Sequence, residues 1–295
     1  MPDASPTLAG TALHLSYHGT PVVHGAGLAL RPGQVTTLVG PNGSGKSTVL
    51  RALARLHRPD TGAVTVTAEG AHPVDARALS AKQFARRVTL LGEHRPAPAG
   101  VTVADVVGYG RHPHRGRWRG EDPRGPAAVA HAMRLTGVTA MAHRAVDTLS
   151  GGERQRVWLA SCLAQDTATL LLDEPTTYLD LRYQVELLDL IRDLADGHGV
   201  AVGVVLHDLN QAAAVADAVV LMHRGRVLSR GTPAEVLTAA HLTEAYGIPV
   251  AVATDPVTHQ LVCRPLGRHA SRRLSAAVPV QEVKSLMRLR VAAAL

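Results

Sequence analysis

The run GPNGSGKST, residues 40–48, constrains this chain more than any other stretch. It follows QVTTLVG, which reads as a buried strand, and it opens KSTVLRALARL, which reads as a helix. A glycine-rich turn in that position lets several backbone N–H groups converge on one phosphate, and the helix N-terminus adds its dipole. Gly40, Pro41, Asn42, Gly43, Ser44 and Gly45 form the turn, Lys46 reaches the outer phosphates of a nucleotide, and Ser47 offers a hard oxygen to Mg²⁺. Such a loop belongs at the carboxyl edge of a parallel sheet, so an α/β layer fold is predicted.

The rest of the pattern agrees. TALHLSY, GLAL, AVTVTA and VTLLGE read as strands, and LSAKQFARR between the last two reads as a helix. From about 93 to 148 the chain turns to loops and helices without strands, and this stretch is taken as a helical insertion. Then come the buried strand ATLLLDE, the amphipathic helix LRYQVELLDLIRDLADG and the buried strand VAVGVVLHD. AVVLMHRGRVLSRG reads as a hairpin turning near His223, Arg224 and Gly225, and IPVAVATDPVTHQLVCR as a second small pair.

Two further places carry chemistry. TLLLDEP ends an apolar strand on two carboxylates, and ligands in open α/β sheets bind at the carboxyl ends of strands. Asp173 is therefore expected near the metal held by Ser47, and Glu174 near a water that attacks the γ-phosphate. A strand-end pair that only caps the next turn is the alternative. His207 ends the next buried strand; a lone histidine there is more often structural, but its position points to a phosphate or base contact. LSGGERQRVWLA, residues 149–160, presents Ser150, Gly151 and Gly152 at a helix start, a second arrangement suited to an anion.

Composition narrows the partners. The 295 residues include 46% hydrophobic side chains but only 3% aromatics, so one large core must be packed mainly by Val, Leu and Ala. The net charge of +7 invites a nucleic-acid reading, yet the arginines cluster in YGRHPHRGRWRGEDPRG and RPLGRHASRRLS without interleaved aromatics for base stacking. A solvated loop is the favoured reading of YGRHPHRGRW, since its Gly and Pro content suggests no fixed geometry, with contact to lipid headgroups as the alternative. Two cysteines without a ligand-spaced motif argue against a disulfide scaffold or structural zinc, and Cys162 reads as a small buried hydrophobe. A reducing, cytoplasmic setting fits. No run approaches the roughly 18 apolar residues needed to cross a bilayer, so a membrane role has to come through a partner.

In order, Gly40 to Thr48, LSGGE, LLLDEP, YLD and His207 resemble the ATPase subunit of an ABC transporter, over residues 9–265. The resemblance implies a RecA-like P-loop NTPase core with an antiparallel β subdomain and a helical insertion at about 93–160, followed by a basic tail at 266–295. It implies that Lys46, Ser47 and Thr48 bind phosphate and Mg²⁺, that Asp173 supports the metal, and that Glu174 is the catalytic base. It makes His207 the switch histidine and Tyr17 the ring that stacks on adenine, and it puts Asp180 in a loop that faces a dimer partner. Ser150, Gly151, Gly152 and Glu153 then bind the γ-phosphate of ATP held by a second copy. DEPTTYLDLRYQVELLDLIRDL and GVTVADVVGYGRHPH look more narrowly like importer ATPases for ferric siderophores, with haem and cobalamin importers as close relatives.

The implied partners are a second ATPase subunit, membrane permease subunits and, indirectly, an extracytoplasmic binding protein, at the cytoplasmic face of the membrane. No nucleic acid is expected; a soluble ATPase acting on nucleic acid or a cytoplasmic assembly is the rival. Two positions depart from the family pattern. Glu93 stands where glutamine is usual, a carboxylate that can still ligate Mg²⁺ or hold its water, or else a solvent-facing loop residue. Glu153 stands where the signature most often has glutamine.

Overall fold

A computed structural model describes residues 7–67, 72–92, 96–97, 99–116, 122–177 and 179–267. The N-terminal part contains β1 (Leu8–Tyr17), β2 (Thr20–Leu30), β3 (Val35–Val39), α1 (Lys46–Leu53), β4 (Thr61–Val66), β5 (Val74–Asp75), α2 (Ala81–Ala85) and β6 (Val88–Leu91). Next come α3 (Val103–Tyr109), α4 (Gly125–Leu135), α5 (Gly151–Ala164), β7 (Thr169–Asp173), α6 (Leu181–His198) and β8 (Ala201–Val205). The chain continues through α7 (Leu209–Val215), β9 (Ala218–His223), β10 (Arg226–Gly231), α8 (Pro233–Val236), α9 (Ala239–Tyr246), β11 (Val250–Thr254) and β12 (Leu261–Pro265).

The central sheet has the order β10-β9-β3-β8-β7-β6, parallel except for the β10–β9 hairpin. β3, β7 and β8 are buried along their whole length, as their continuous apolar runs require when both faces are covered. One face packs on α6 and α7 through Leu187, Ile191, Leu194, Ala212 and Val215. The other packs on α1 and on an antiparallel sheet of order β2-β1-β4-β5, through Leu13, Leu15, Val49, Leu50 and Leu53. β2 runs well beyond the GLAL segment expected from sequence, because pairing with β1 from Leu30 back to Thr20 carries its polar residues as well.

The helical insertion has its own small core, in which Val103, Val106 and Val107 of α3 and Ala132 and Met133 of α4 pack against Val157, Ala160 and Ala164 of α5. α5 thus serves the insertion past residue 160, through Ala164, while Leu159 on the same helix packs into the central core.

The solvated loop favoured for YGRHPHRGRW is corrected where the chain is described. A Cβ on Gly110 would lie 1.9 Å from the Ser161 carbonyl oxygen, so the backbone there is pressed against α5. Arg111 is 3% exposed, forks onto Asp122 (Nε–Oδ2 2.7 Å, Nη2–Oδ1 3.1 Å) and donates to Ala164 O at 2.8 Å. A guanidinium with three of its five N–H groups held by a paired carboxylate and a carbonyl can be buried. The glycine at 110 permits this geometry through close approach. Of the other arginines in that run, Arg115 is exposed, and Arg117 lies outside the described residues. Cys162 is half-buried, not fully enclosed, and Cys263 is buried. Among the described residues no helix is long and apolar enough to cross a membrane.

Candidate active site

The register of the central sheet assembles the site. Leu38 of β3 pairs with Val205 of β8, which pairs with Asp173 of β7, so the three strands end in one row. The 40–48 loop leaves β3 two residues past that row, Glu174 follows β7 by one residue, and His207 follows β8 by two. His207 is therefore not within the strand, as expected, but in the turn beyond its end.

Gly40, Gly43 and Gly45 have φ of 142°, 76° and 97°, the left-handed side that glycine alone adopts without strain. At Gly40 a Cβ would also lie 2.1 Å from the Met222 carbonyl oxygen, because the loop lies against the end of β9. The turn of the β9–β10 hairpin supports it from beneath, Gly225 N–H donating to Ser44 O at 3.2 Å. Ser44 N–H closes the loop on Pro41 O at 3.2 Å, and Val49 N–H donates to Gly45 O at 3.0 Å. The amides of Lys46, Ser47 and Thr48 precede that first helical bond and face out of the α1 N-terminus.

Lys46 is 5% exposed, and its Nζ donates to Gly40 O at 2.8 Å and Pro41 O at 3.0 Å. Burial lowers its pKa from the ordinary lysine value, with Glu174 and Asp173 opposing the shift. Ser47 Oγ donates to Asp173 Oδ1 at 2.6 Å, and Arg51, one turn further along α1, reaches Asp173 Oδ2 at 3.7 Å. Asp173 is fully buried. Glu174 has φ 52°, strained for a residue with a Cβ, and this turn brings its Oε1 to 2.7 Å from His207 Nε2.

These residues suit ATP and Mg²⁺. Gly40 and Gly45 let the loop close on Met222 O and the Val23 side chain, where a Cβ would lie 2.1 and 2.9 Å away, and buried Ser44 Oγ has no hydrogen-bond partner among the described residues. A hydroxyl and a carboxylate at 2.6 Å are the hard oxygen pair that Mg²⁺ takes beside phosphate oxygens and water. Such a site needs only one or two protein carboxylates, which agrees with the absence of any three-residue His, Cys, Asp or Glu cluster among the described residues.

Tyr17 closes β1, is 38% exposed, and leans on His57 with ring centroids 4.6 Å apart. Ser150, Gly151, Gly152 and Glu153 are not part of this cluster; they form the start of α5. Ser150 caps that helix, and open space surrounds Gly151. Asp180 caps α6, its Oδ1 accepting from Tyr183 N–H at 3.0 Å. Glu93, given a metal role from sequence, lies outside the described residues, as does most of the 266–295 tail, from 268 onward.

Sequence reasoning missed three supports. Arg51 sits four residues after Ser47, a helical spacing that could have pointed to it. Arg144 pairs with Glu153 at 2.9 Å, and only the fold brings them together. Tyr246, at the end of α9, faces the Gly40 backbone, and burial pushes its phenol up to about 12 although the Gly40 N–H favours the phenolate. No local pattern signalled that pairing.

The ABC transporter family model matches residues 23–177. The ferric enterobactin transport ATP-binding protein FepC of Escherichia coli (strain K12) is 41% identical over 92% of this chain and 98% of its own length. The iron(3+)-hydroxamate import ATP-binding protein FhuC of Bacillus subtilis (strain 168) is 39% identical over 87% of this chain and 94% of its own. The hemin import ATP-binding protein HmuV of Rhodococcus jostii (strain RHA1) is 42% identical over 87% and 85%. Among solved structures, a putative metal-chelate type ABC transporter in an inward-facing conformation aligns at TM-score 0.77 and 26% identity, covering 90% of this chain and 99% of that one.

Proposed function

This chain belongs to the ABC transporter family, and we propose that it is the ATP-hydrolysing subunit that drives import of ferric siderophores through a membrane permease. The observation that carries the reaction is the convergence of Lys46, Ser47, Asp173, Glu174 and His207 at the carboxyl ends of three adjacent parallel strands. The cargo rests on the relatives, several of which are named for transport of iron chelates and align over most of their length. A haem or cobalamin cargo is the second reading, because relatives named for those ligands match at 42% and 41% identity.

Catalysis needs charge stabilisation more than covalent help, since the transferred phosphoryl group carries its charge on oxygen throughout. The loop amides and Lys46 grip the β- and γ-phosphates. Lys46 exchanges the Gly40 and Pro41 carbonyls for phosphate oxygens, and the approaching anion keeps it charged despite burial. Ser47 and Asp173 would hold Mg²⁺, which would supply positive charge to the phosphate oxygens. Glu174 orients and deprotonates the attacking water, and His207, in contact with it, reports on the γ-phosphate. Tyr17 stacks on the adenine.

Ser150, Gly151 and Gly152 stand at the start of α5, on a different element from the chain's own phosphate loop, and serve ATP held by a second copy. Two copies close over two nucleotides, and the helical insertion carries that closure to the permease at the cytoplasmic face of the membrane. An extracytoplasmic binding protein delivers cargo from the other side, and nucleic acid has no part. The residue range 9–265 makes up the ATPase domain. Reconstitution with a candidate membrane permease tests this: stimulation of ATPase activity by a ferric siderophore with its binding protein supports the reading. Stimulation by haem or cobalamin instead moves the cargo, and stimulation only by RNA or DNA overturns the assignment.

A further inference from the structure

The start of α5 holds a negative charge where an anion is meant to dock. Ser150 Oγ accepts Glu153 N–H at 3.3 Å and Glu153 Oε2 accepts Ser150 N–H at 2.9 Å, a reciprocal cap. The cap fixes the serine, but it also places a carboxylate within one helical turn of Gly151 and Gly152. That carboxylate stays ionised, since the Ser150 backbone and hydroxyl, and then Arg144, hold its pKa below the ordinary glutamate value. A glutamine would cap equally well without charge. An incoming phosphate gains from the helix dipole and loses against Glu153.

Arg144 answers that conflict. Its Nη1 donates to Glu153 Oε1 at 2.9 Å, the carboxylate oxygen not used by the cap. The guanidinium is about half exposed, so its other donors remain open to a ligand. Its main chain is held separately: Arg144 N–H donates to Met141 O at 2.9 Å, and Val103 N–H donates to Arg144 O at 3.0 Å. Truncating the side chain therefore leaves the loop anchored. Arg144 also ties the start of α5 to the beginning of α3, tethering the anion site to the body of the helical insertion.

We propose that Arg144 is a positioning residue of the second anion site: it neutralises Glu153 and steadies the Ser150 cap so that the γ-phosphate held by another copy can dock there. This rests on the reading that the signature loop of one copy covers the ATP of its partner. It predicts that Arg144 is needed because residue 153 is charged. Removing both charges should then undo the damage of removing one.

The test uses full-length protein carrying Glu174→Gln, so that the ATP-bound dimer accumulates, and sedimentation velocity to read dimerisation against ATP concentration. Arg144→Ala should weaken ATP-dependent dimerisation about tenfold, the scale of a lost close charge pair, while ATP affinity of the monomer stays unchanged. The double variant Arg144→Ala with Glu153→Gln should come within about threefold of Glu153→Gln alone. Unchanged dimerisation in Arg144→Ala overturns the proposal. So does a double variant as impaired as Arg144→Ala, since that marks a purely structural role. If Arg144→Ala lacks a cooperative thermal transition, Arg144→Gln takes its place in the same cycle. Failure of the parent itself to dimerise with ATP would instead sink the dimer reading, which keeps the two failures apart.

Discussion

His207 Nε2 lies 2.7 Å from Glu174 Oε1, joining the turns after two adjacent parallel strands at the point where the 40–48 loop emerges from a third. The contact exists because Glu174 accepts a left-handed backbone, φ 52°, in place of continuing the strand. Strain of this kind costs about 1–2 kcal/mol and persists only where the surrounding structure enforces it.

Glu174→Gln is expected to keep ATP binding and to lower turnover by roughly a hundredfold to ten-thousandfold, the range for a lost general base. Glu174→Gly should be equally inactive yet neutral or up to about 1 kcal/mol more stable, whereas glycine in ordinary backbone costs about that much. ATPase assays and urea denaturation measure the two effects. Near-normal turnover of the glutamine variant would remove Glu174 from the role of base.

Ser150→Arg separates the two anion sites. The chain's own loop, Gly40 to Thr48, is untouched, so monomeric ATP affinity should stay within about twofold. Loss of the α5 cap should cost about 1 kcal/mol of stability. ATP-dependent dimers should disappear, because a bulky cation replaces the capping hydroxyl beside Gly151. Unimpaired dimers in light scattering would refute the intermolecular assignment.

Tyr246 gives a pH signature at the alkaline end. Its phenol is raised to about 12, chiefly by burial, against 10 for the unperturbed group. Between those values the unfolded chain has lost the proton and the folded chain keeps it, so the native state binds more protons and stability falls as pH rises. The loss should reach about 2 kcal/mol near pH 11.5. Tyr246→Phe should lack this part of the alkaline decline when chemical denaturation is compared at about pH 9 and 11.5. Parallel curves for the two proteins would show that the buried phenol is not titrating as described.

The loop at 40–48 was legible because a phosphate cradle needs glycine, lysine and serine at fixed steps within one turn, between a strand and a helix. Asp173 and His207 were legible because an apolar run of sequence ends on each. The strand period could not show that β8 stops at Val205, two residues early, since Leu206 is as apolar as the strand. Arg111 was misread for a related reason: glycine and proline around an arginine look like solvated loop, and only the fold supplies Asp122 and the Ala164 carbonyl. The approach of Tyr246 to Gly40 spans most of the chain and leaves no trace in local pattern.

The buried fork of Arg111 on Asp122 gives the last test. With both side chains nearly enclosed, Asp122→Ala leaves the guanidinium desolvated and without two of its three hydrogen bonds, which should cost about 3–5 kcal/mol at neutral pH. Arg111, through its hydrogen bonds first, holds the Asp122 carboxyl below its ordinary range. A depressed carboxylate stabilises the fold above its unfolded pKa of about 4, and that contribution drains away as pH falls through the lower folded value. The stability gap between wild type and Asp122→Ala should therefore be constant from about pH 8 to pH 5 and narrow below about pH 4. Urea titrations at about pH 7 and pH 3 measure it. A gap under about 1 kcal/mol at neutral pH would put the pair among exposed salt bridges, against its burial at the junction of α3, α4 and α5.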